Sequence, residues 1–325
     1  MLVRKLVQSG PSSFTIALPR TWIRAQHLKK GDLVEVDAQP DHVLVRRPTS
    51  AGERVEQEVT INVDGKDMRT LQRDIRAAYI SADRIVLIGK TLADNIYQLK
   101  KDIAEMVALE IVDESPKSIV CKNFVNMQDV NVPNLIRRID NIVRSMLMEV
   151  PLCLDNPHLA PQITERDVSV NRLGFLMLKC MKTALQDYRV LEFLKLAPID
   201  IVMYWDLNVH IEKIGDEAKR MARLLAALHK KKGDQKKLIE LLKASTTCYQ
   251  EAMKSVYTKD IELSDSIAIR RPQLVKECDE YFEQHNDVAV SEITGKIKGM
   301  LSHITDISRL VRYLTPIQTH NPSTR

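Results

Sequence analysis

The 325-residue chain has five cysteines, Cys121, Cys153, Cys180, Cys248 and Cys278, and no CxxC among them. Their odd number and wide spacing argue against a disulfide framework or a thiolate zinc site. They read instead as buried apolar thiols in a reducing compartment. No apolar run approaches the roughly 18 residues that span a bilayer. Arg4, Lys5, Gln8 and Ser9 interrupt the N-terminus where a signal-peptide core would be continuous. A cytoplasmic location without membrane insertion is therefore expected. The chain also lacks G-x-x-x-x-G-K, G-x-G-x-x-G, G-x-S-x-G and H-E-x-x-H patterns. With no nucleophile–base constellation and eight scattered histidines, it is expected not to be an enzyme.

What is present is a soluble composition, 44% hydrophobic and 28% charged, long enough for two or three domains with cores. The charge is concentrated at one end. Arg4 to Arg47 holds eight Lys/Arg and four acids, which accounts for nearly all of the chain's net +5. Such a segment attracts a polyanion. Strand patterns at Leu2–Gln8, Phe14–Leu18, Leu33–Val36 and His42–Arg46 flank a short helix over Arg20–His27, opened by Pro19. This β–β–α–β–β order in under 50 residues cannot bury a sufficient core alone, so a second copy is expected to pair with it. No aromatic platform is interleaved with the basic residues, which disfavours single-strand stacking. Trp22 is expected to be a core anchor.

The run R-K-L-V-x-S-G-x-S-S-F-T-I-A-L-P-R-x-W, followed by L-K-K-G-D-L-V-E-V, resembles the AbrB/MazE/SpoVT swapped-hairpin family over nearly all of residues 1–46. The resemblance implies a β-rich swapped-hairpin barrel, an intertwined homodimer that presents basic side chains to double-stranded DNA. Carried onto this sequence, it points to Arg4 and Lys5 on the first strand and Arg24 on the helix. Arg20, Lys29 and Lys30 are further candidates for contacting DNA.

Residues 53–130 alternate strand and helix patterns: Glu58–Val63, Lys66–Ser81, Arg84–Ile88, Ala93–Ala108, Glu110–Val112 and Ser118–Val120. A small α/β domain with its helices on one face is expected. From about residue 131 the apolar residues recur at three- and four-residue steps. Examples are Leu207, Ile211, Ile214, Ala218, Met221, Leu225 and Leu228, and likewise Ile293, Ile297, Met300, Ile304, Ile307, Val311 and Leu314. The spacing predicts six bundled helices at 133–150, 164–188, 199–229, 234–257, 260–284 and 287–314. Pro272 is expected to kink or interrupt the fifth. The run Lys230-Lys231-Lys232-Gly233 splits this part into two three-helix repeats, 131–229 and 234–315, leaving 316–325 as a disordered tail. Aligning Asp216 with Asp306 sets the repeat at 90 residues.

Glu212 and Asp216 stand four apart, so both carboxylates project from one helix face, with Asn208 a turn earlier. Asp167 and Asn171 form a comparable pair on the preceding helix. The block E-K-I-G-D-E-A, starting at Glu212, is similar to the E-R-I-G-D-H-A signature of PhoU proteins. The whole arrangement resembles archaeal-type PhoU regulators. That resemblance implies two three-helix bundles, a role in phosphate uptake, and metal clusters held by E/D-x-x-x-D pairs on neighbouring helices. The metal candidates are then Asp167, Asn171, Glu212 and Asp216 in the first repeat and Asp306 in the second. Their oxygen donors suit Mg²⁺ or Mn²⁺, with Fe or Zn as alternatives. The chain departs from the pattern at Asn171, where a carboxylate is expected, and at Ser302, which aligns with Glu212.

The leading expectation is a DNA-binding transcriptional regulator of phosphate uptake. The alternative is an adaptor that binds a phosphate ABC transporter's ATPase or a sensor kinase, its N-terminal module serving for dimerisation. His210, one step off the Glu212 stripe, reads as a surface or packed histidine.

Overall fold

The computed structural model describes residues 3–38, 43–48, 56–229, 235–285 and 287–314. His42, the lysine run at 230–232 and the tail at 316–325 lie outside the described residues. The chain divides into two compact units, Met1–Glu56 and Gln57–Arg325.

In the first unit, β1 (Val7–Gln8) and β2 (Phe14–Thr15) form an antiparallel hairpin, with Val7 opposite Thr15. After α1 (Arg20–Ala25), β3 (Glu35–Ala38) pairs antiparallel with β4 (Val43–Arg46), Glu35 opposite Arg46. The element order is the one the sequence predicts, but the strands are shorter. They make two separate ladders and no closed barrel among the described residues. A strand with one neighbour is marginal in water, and no described residue of the unit covers these hairpins. No described residue of the unit is buried, and Trp22 is only half-buried. Pro19 stands at the cap of α1 rather than inside it, with φ −60°.

The second unit begins with β5 (Glu58–Asn62), α2 (Met68–Ser81), β6 (Arg84–Ile88), α3 (Leu92–Ala104), β7 (Leu109–Ser115) and β8 (Ser118–Asn123). The sheet order is β5-β6-β8-β7, with β5 and β6 parallel across the α2 crossover and the other pairings antiparallel. Alternate strand positions Ile61, Ile85, Leu87 and Ile119 meet Leu71, Ile75 and Leu99 in one apolar layer. The intervening positions Glu58, Thr60 and Asn62 are exposed.

The helices that follow are α4 (Val132–Glu149), α5 (Leu159–Gln186), α6 (Tyr188–Leu194), α7 (Pro198–Leu228), α8 (Lys236–Thr258), α9 (Ile261–His285) and α10 (Val288–Leu314). α4, α5 and α7 pack together, as do α8, α9 and α10, and α7 against α10 joins the two groups. One core runs through all of them. The periodic residues from Leu207 to Leu228 and from Ile293 to Val311 are all buried. The predicted helix 164–188 starts earlier, at Leu159, and breaks at Asp187. There the Asp187 carboxylate accepts the Arg189 N–H at 3.1 Å and starts the short α6, which the periodicity did not reveal. α9 runs on through Pro272. Both Pro272 and Ala268, whose carbonyl loses its helical partner, are exposed, so water can serve that carbonyl.

The α/β segment is tied to the bundle through α2 and α5. Lys179 of α5 is 4% exposed, and its ammonium donates to the carbonyls of Tyr79 at 3.0 Å and Ala82 at 2.9 Å. Lys182 donates to the Ser81 hydroxyl at 2.7 Å. The last turn of α2 carries no basic residue of its own. Its unpaired carbonyls and negative dipole end are met by cations from another helix. All five cysteines are buried. Desolvation pushes the thiols of Cys121, Cys180 and Cys278 up to about 12 and that of Cys153 to about 11, which keeps them protonated and unreactive.

Candidate functional site

α5 and α7 bring the acidic pairs together. Asp167 is almost fully buried, and the Asn171 amide donates to its Oδ2 at 3.3 Å. Lys219 lies one turn after Asp216 on α7. Its ammonium reaches Asp167 Oδ2 at 2.5 Å and Asp216 Oδ1 at 2.6 Å. Arg220 adds contacts to Asp216 at 3.4 Å and Glu217 at 3.1 Å. Gly215 faces the same junction: a Cβ there would make ordinary contact with Val143 Cγ2 at 3.4 Å and Asp167 Oδ1 at 4.0 Å.

The electrostatics follow from this crowding. Burial, reinforced by the charges of Asp216 and Asp167, raises the Glu212 carboxyl above its ordinary value. The Lys219 ammonium pays a desolvation cost, but hydrogen bonds to Asp167 and Asp216 outweigh it and raise its pKa. Asp167 Oδ1 and Asn208 Oδ1 are buried without a hydrogen-bond partner.

A second group forms in the seam between α7 and α10. These helices run antiparallel, because His210 meets His303 while Glu217 meets Lys296. The two imidazole Nδ1 atoms are 3.1 Å apart, with ring centroids 5.3 Å apart. Asp306 joins them: one donor atom each from His210, His303 and Asp306 lies within 4.8 Å of the others. Desolvation, then the charges of His210 and Lys213, lowers the His303 pKa.

The chain is similar in structure to PhoU from Pseudomonas aeruginosa. The likeness covers 56% of this chain and 94% of that one, with 19% sequence identity and a TM-score of 0.48. No family model and no curated protein matches the sequence. The AbrB-like and PhoU-like resemblances therefore stand on the residues quoted for them.

The first-repeat oxygens do not fit a metal centre as they stand. Lys219 occupies the position shared by Asp167 and Asp216, and a divalent cation there would have to displace an ammonium bound at 2.5 and 2.6 Å. Among the described residues, the grouping of three His, Cys, Asp or Glu donors close enough for one ion is His210, His303 and Asp306. Asp306 therefore sits with histidines rather than alone in its repeat. His210, expected as a surface or packed histidine, packs against a second imidazole. Lys219 could have been found from sequence, being one turn from Asp216 on the same stripe. His303 could not, because its partner is 93 residues away.

The six basic candidates of the first unit, Arg4, Lys5, Arg20, Arg24, Lys29 and Lys30, are all exposed. On the second unit, Leu185, Val202, Trp205 and Tyr313 surround a cavity of about 380 Å³ formed by α5, α7 and α10. Val202 is 60% exposed, Trp205 44% and Tyr313 72%. Among the described residues no helix is long and apolar enough to cross a membrane.

Proposed function

We propose that this chain is a dimeric regulatory adaptor of phosphate uptake. Its helical unit docks on a cytoplasmic component of phosphate transport, the ABC transporter's ATPase or a sensor kinase. The observation that carries the docking role is the cluster of exposed apolar side chains around Trp205. Contiguous apolar surface with an aromatic anchor is what a protein-binding site offers. The link to phosphate rests on the E-K-I-G-D-E-A block beginning at Glu212. Dimerisation is assigned to the first unit, whose exposed Phe14, Ile16 and Leu33 need a second copy to bury them.

The test is binding of the full chain to the purified ATPase and to the kinase. A Val202→Asp/Trp205→Ala variant should weaken binding by at least about tenfold, as for loss of an aromatic anchor. Undiminished binding by this variant would remove the docking surface from the proposal.

A second reading, DNA binding by the same dimer, is favoured by the six exposed basic residues. Fluorescence anisotropy with upstream duplex DNA across a salt series would support it if Arg4→Glu/Arg24→Glu abolished sequence-selective binding. Binding equal to that of random DNA would restrict the first unit to dimerisation.

A further inference from the structure

We propose that His210, His303 and Asp306 form a site for a borderline divalent cation of the Zn²⁺ class, clasping α7 to α10 across the two helical repeats. The inference stands apart from the adaptor reading and does not depend on it.

The donor set is the first argument. Two imidazoles and one carboxylate are a known set of three protein ligands for four-coordinate zinc, with water in the fourth position. They are a poor set for Mg²⁺ or Ca²⁺, which take oxygen. The spacing is the second. Two nitrogens bound tetrahedrally at about 2.0–2.1 Å from Zn²⁺ lie about 3.3–3.4 Å apart. His210 Nδ1 and His303 Nδ1 are 3.1 Å apart, so a small opening of the pair admits the ion. His303 and Asp306 are three apart on α10 and share a face, so one helix supplies two donors and its neighbour the third.

The third argument lies behind the ligands. His210 Nε2 is 3.4 Å from Asp206 Oδ1, one turn back on α7. A carboxylate on the far nitrogen of a metal-binding histidine selects the tautomer whose other nitrogen is a lone pair. On His210 the nitrogen opposite the Asp206 contact is Nδ1, the one facing His303.

The cations nearest the site are solvent-exposed. Lys213 is exposed, and Arg309 holds only Oδ1 of Asp306, at 2.9 Å, from a side chain that is itself largely exposed. Glu217, facing the same seam, is paired with Arg220 and Lys296.

The experiment is isothermal titration of the full-length, tag-free chain with ZnCl₂, with thermal melts in parallel. The expected result is one Zn²⁺ per chain and a melting temperature that rises with it. His210→Ala and His303→Ala should each weaken binding by about 100-fold, and Asp206→Ala by about tenfold. Glu212→Gln/Asp216→Asn should bind as the wild type does. X-ray absorption on zinc-loaded wild type should show two imidazoles around the metal, a readout that needs no variant to fold. Absence of stoichiometric binding, its persistence in the His210→Ala/His303→Ala chain, its loss in the acidic variant, or a shell without imidazole would each overturn the site.

Discussion

Lys219 decides the chemistry of the acidic stripe. Asp167 is buried and meets a charged ammonium, so removing that charge strands a carboxylate away from water. Losing one partner of such a pair typically costs about 3–5 kcal/mol. Lys219→Met should therefore lower the urea midpoint markedly. In that variant alone, millimolar Mg²⁺ or Mn²⁺ should recover part of the loss, because the vacated position lies between two aspartates. Recovery in the wild type to the same extent would show that the lysine does not exclude the ion. Glu212 works in the opposite direction. Its carboxyl is raised by burial and by its acidic neighbours, so the folded state holds its proton to higher pH than the unfolded chain does. Stability contributed by this group is present below the unfolded value and is lost as pH rises through the folded one. Glu212→Gln should flatten that decline above the ordinary carboxylate range, and should be the more stable protein at neutral pH. Urea titrations at several pH values would check this, and an unchanged slope would contradict it.

Among the elements, the contact of α2 with α5 carries the most information. The amphipathic pattern of α2 was readable; the structure caps it with Asp67, which accepts the Thr70 N–H at 2.7 Å. Its C-terminus was not readable, because the groups that satisfy it come from Lys179 and Lys182, about a hundred residues on. Lys179→Met keeps the aliphatic volume but leaves the Tyr79 and Ala82 carbonyls without their donor. The expected cost is about 1–3 kcal/mol. Hydrogen exchange should rise first in α2, whereas a uniform increase across the second unit would mean that the lysine acts on global stability instead. The missed α6 and the uninterrupted α9 have local causes of another kind. Asp187 restarts a helix that apolar spacing could not see, and exposure lets Pro272 sit inside one.

For the whole molecule, oligomeric state is the question the first unit raises. Its short ladders bury no described residue, while Leu33 is 81% exposed and Phe14 and Ile16 are also open to solvent. Light scattering of the full chain should report a dimer. Ile16→Asp/Leu33→Asp should shift the dimer toward monomer by at least about tenfold in concentration, as expected when apolar area at an interface is replaced by charge. A monomeric wild type would mean that another partner covers this surface.

Local periodicity determined much of this protein without reference to its fold. Short apolar runs placed strands of the α/β segment, steps of three and four placed the long helices, and most of the residues those steps marked are buried. The concentration of basic charge near the N-terminus and the acidic stripe on α7 were legible for the same reason, since both are properties of neighbours in the chain. The tertiary structure decided which distant groups meet. It put an ammonium between Asp167 and Asp216, two lysines at the end of α2, and His210 against His303 and Asp306. Each of these depends on antiparallel or crossing helices that bring residues tens of positions apart within hydrogen-bond range, and no local pattern encodes that register.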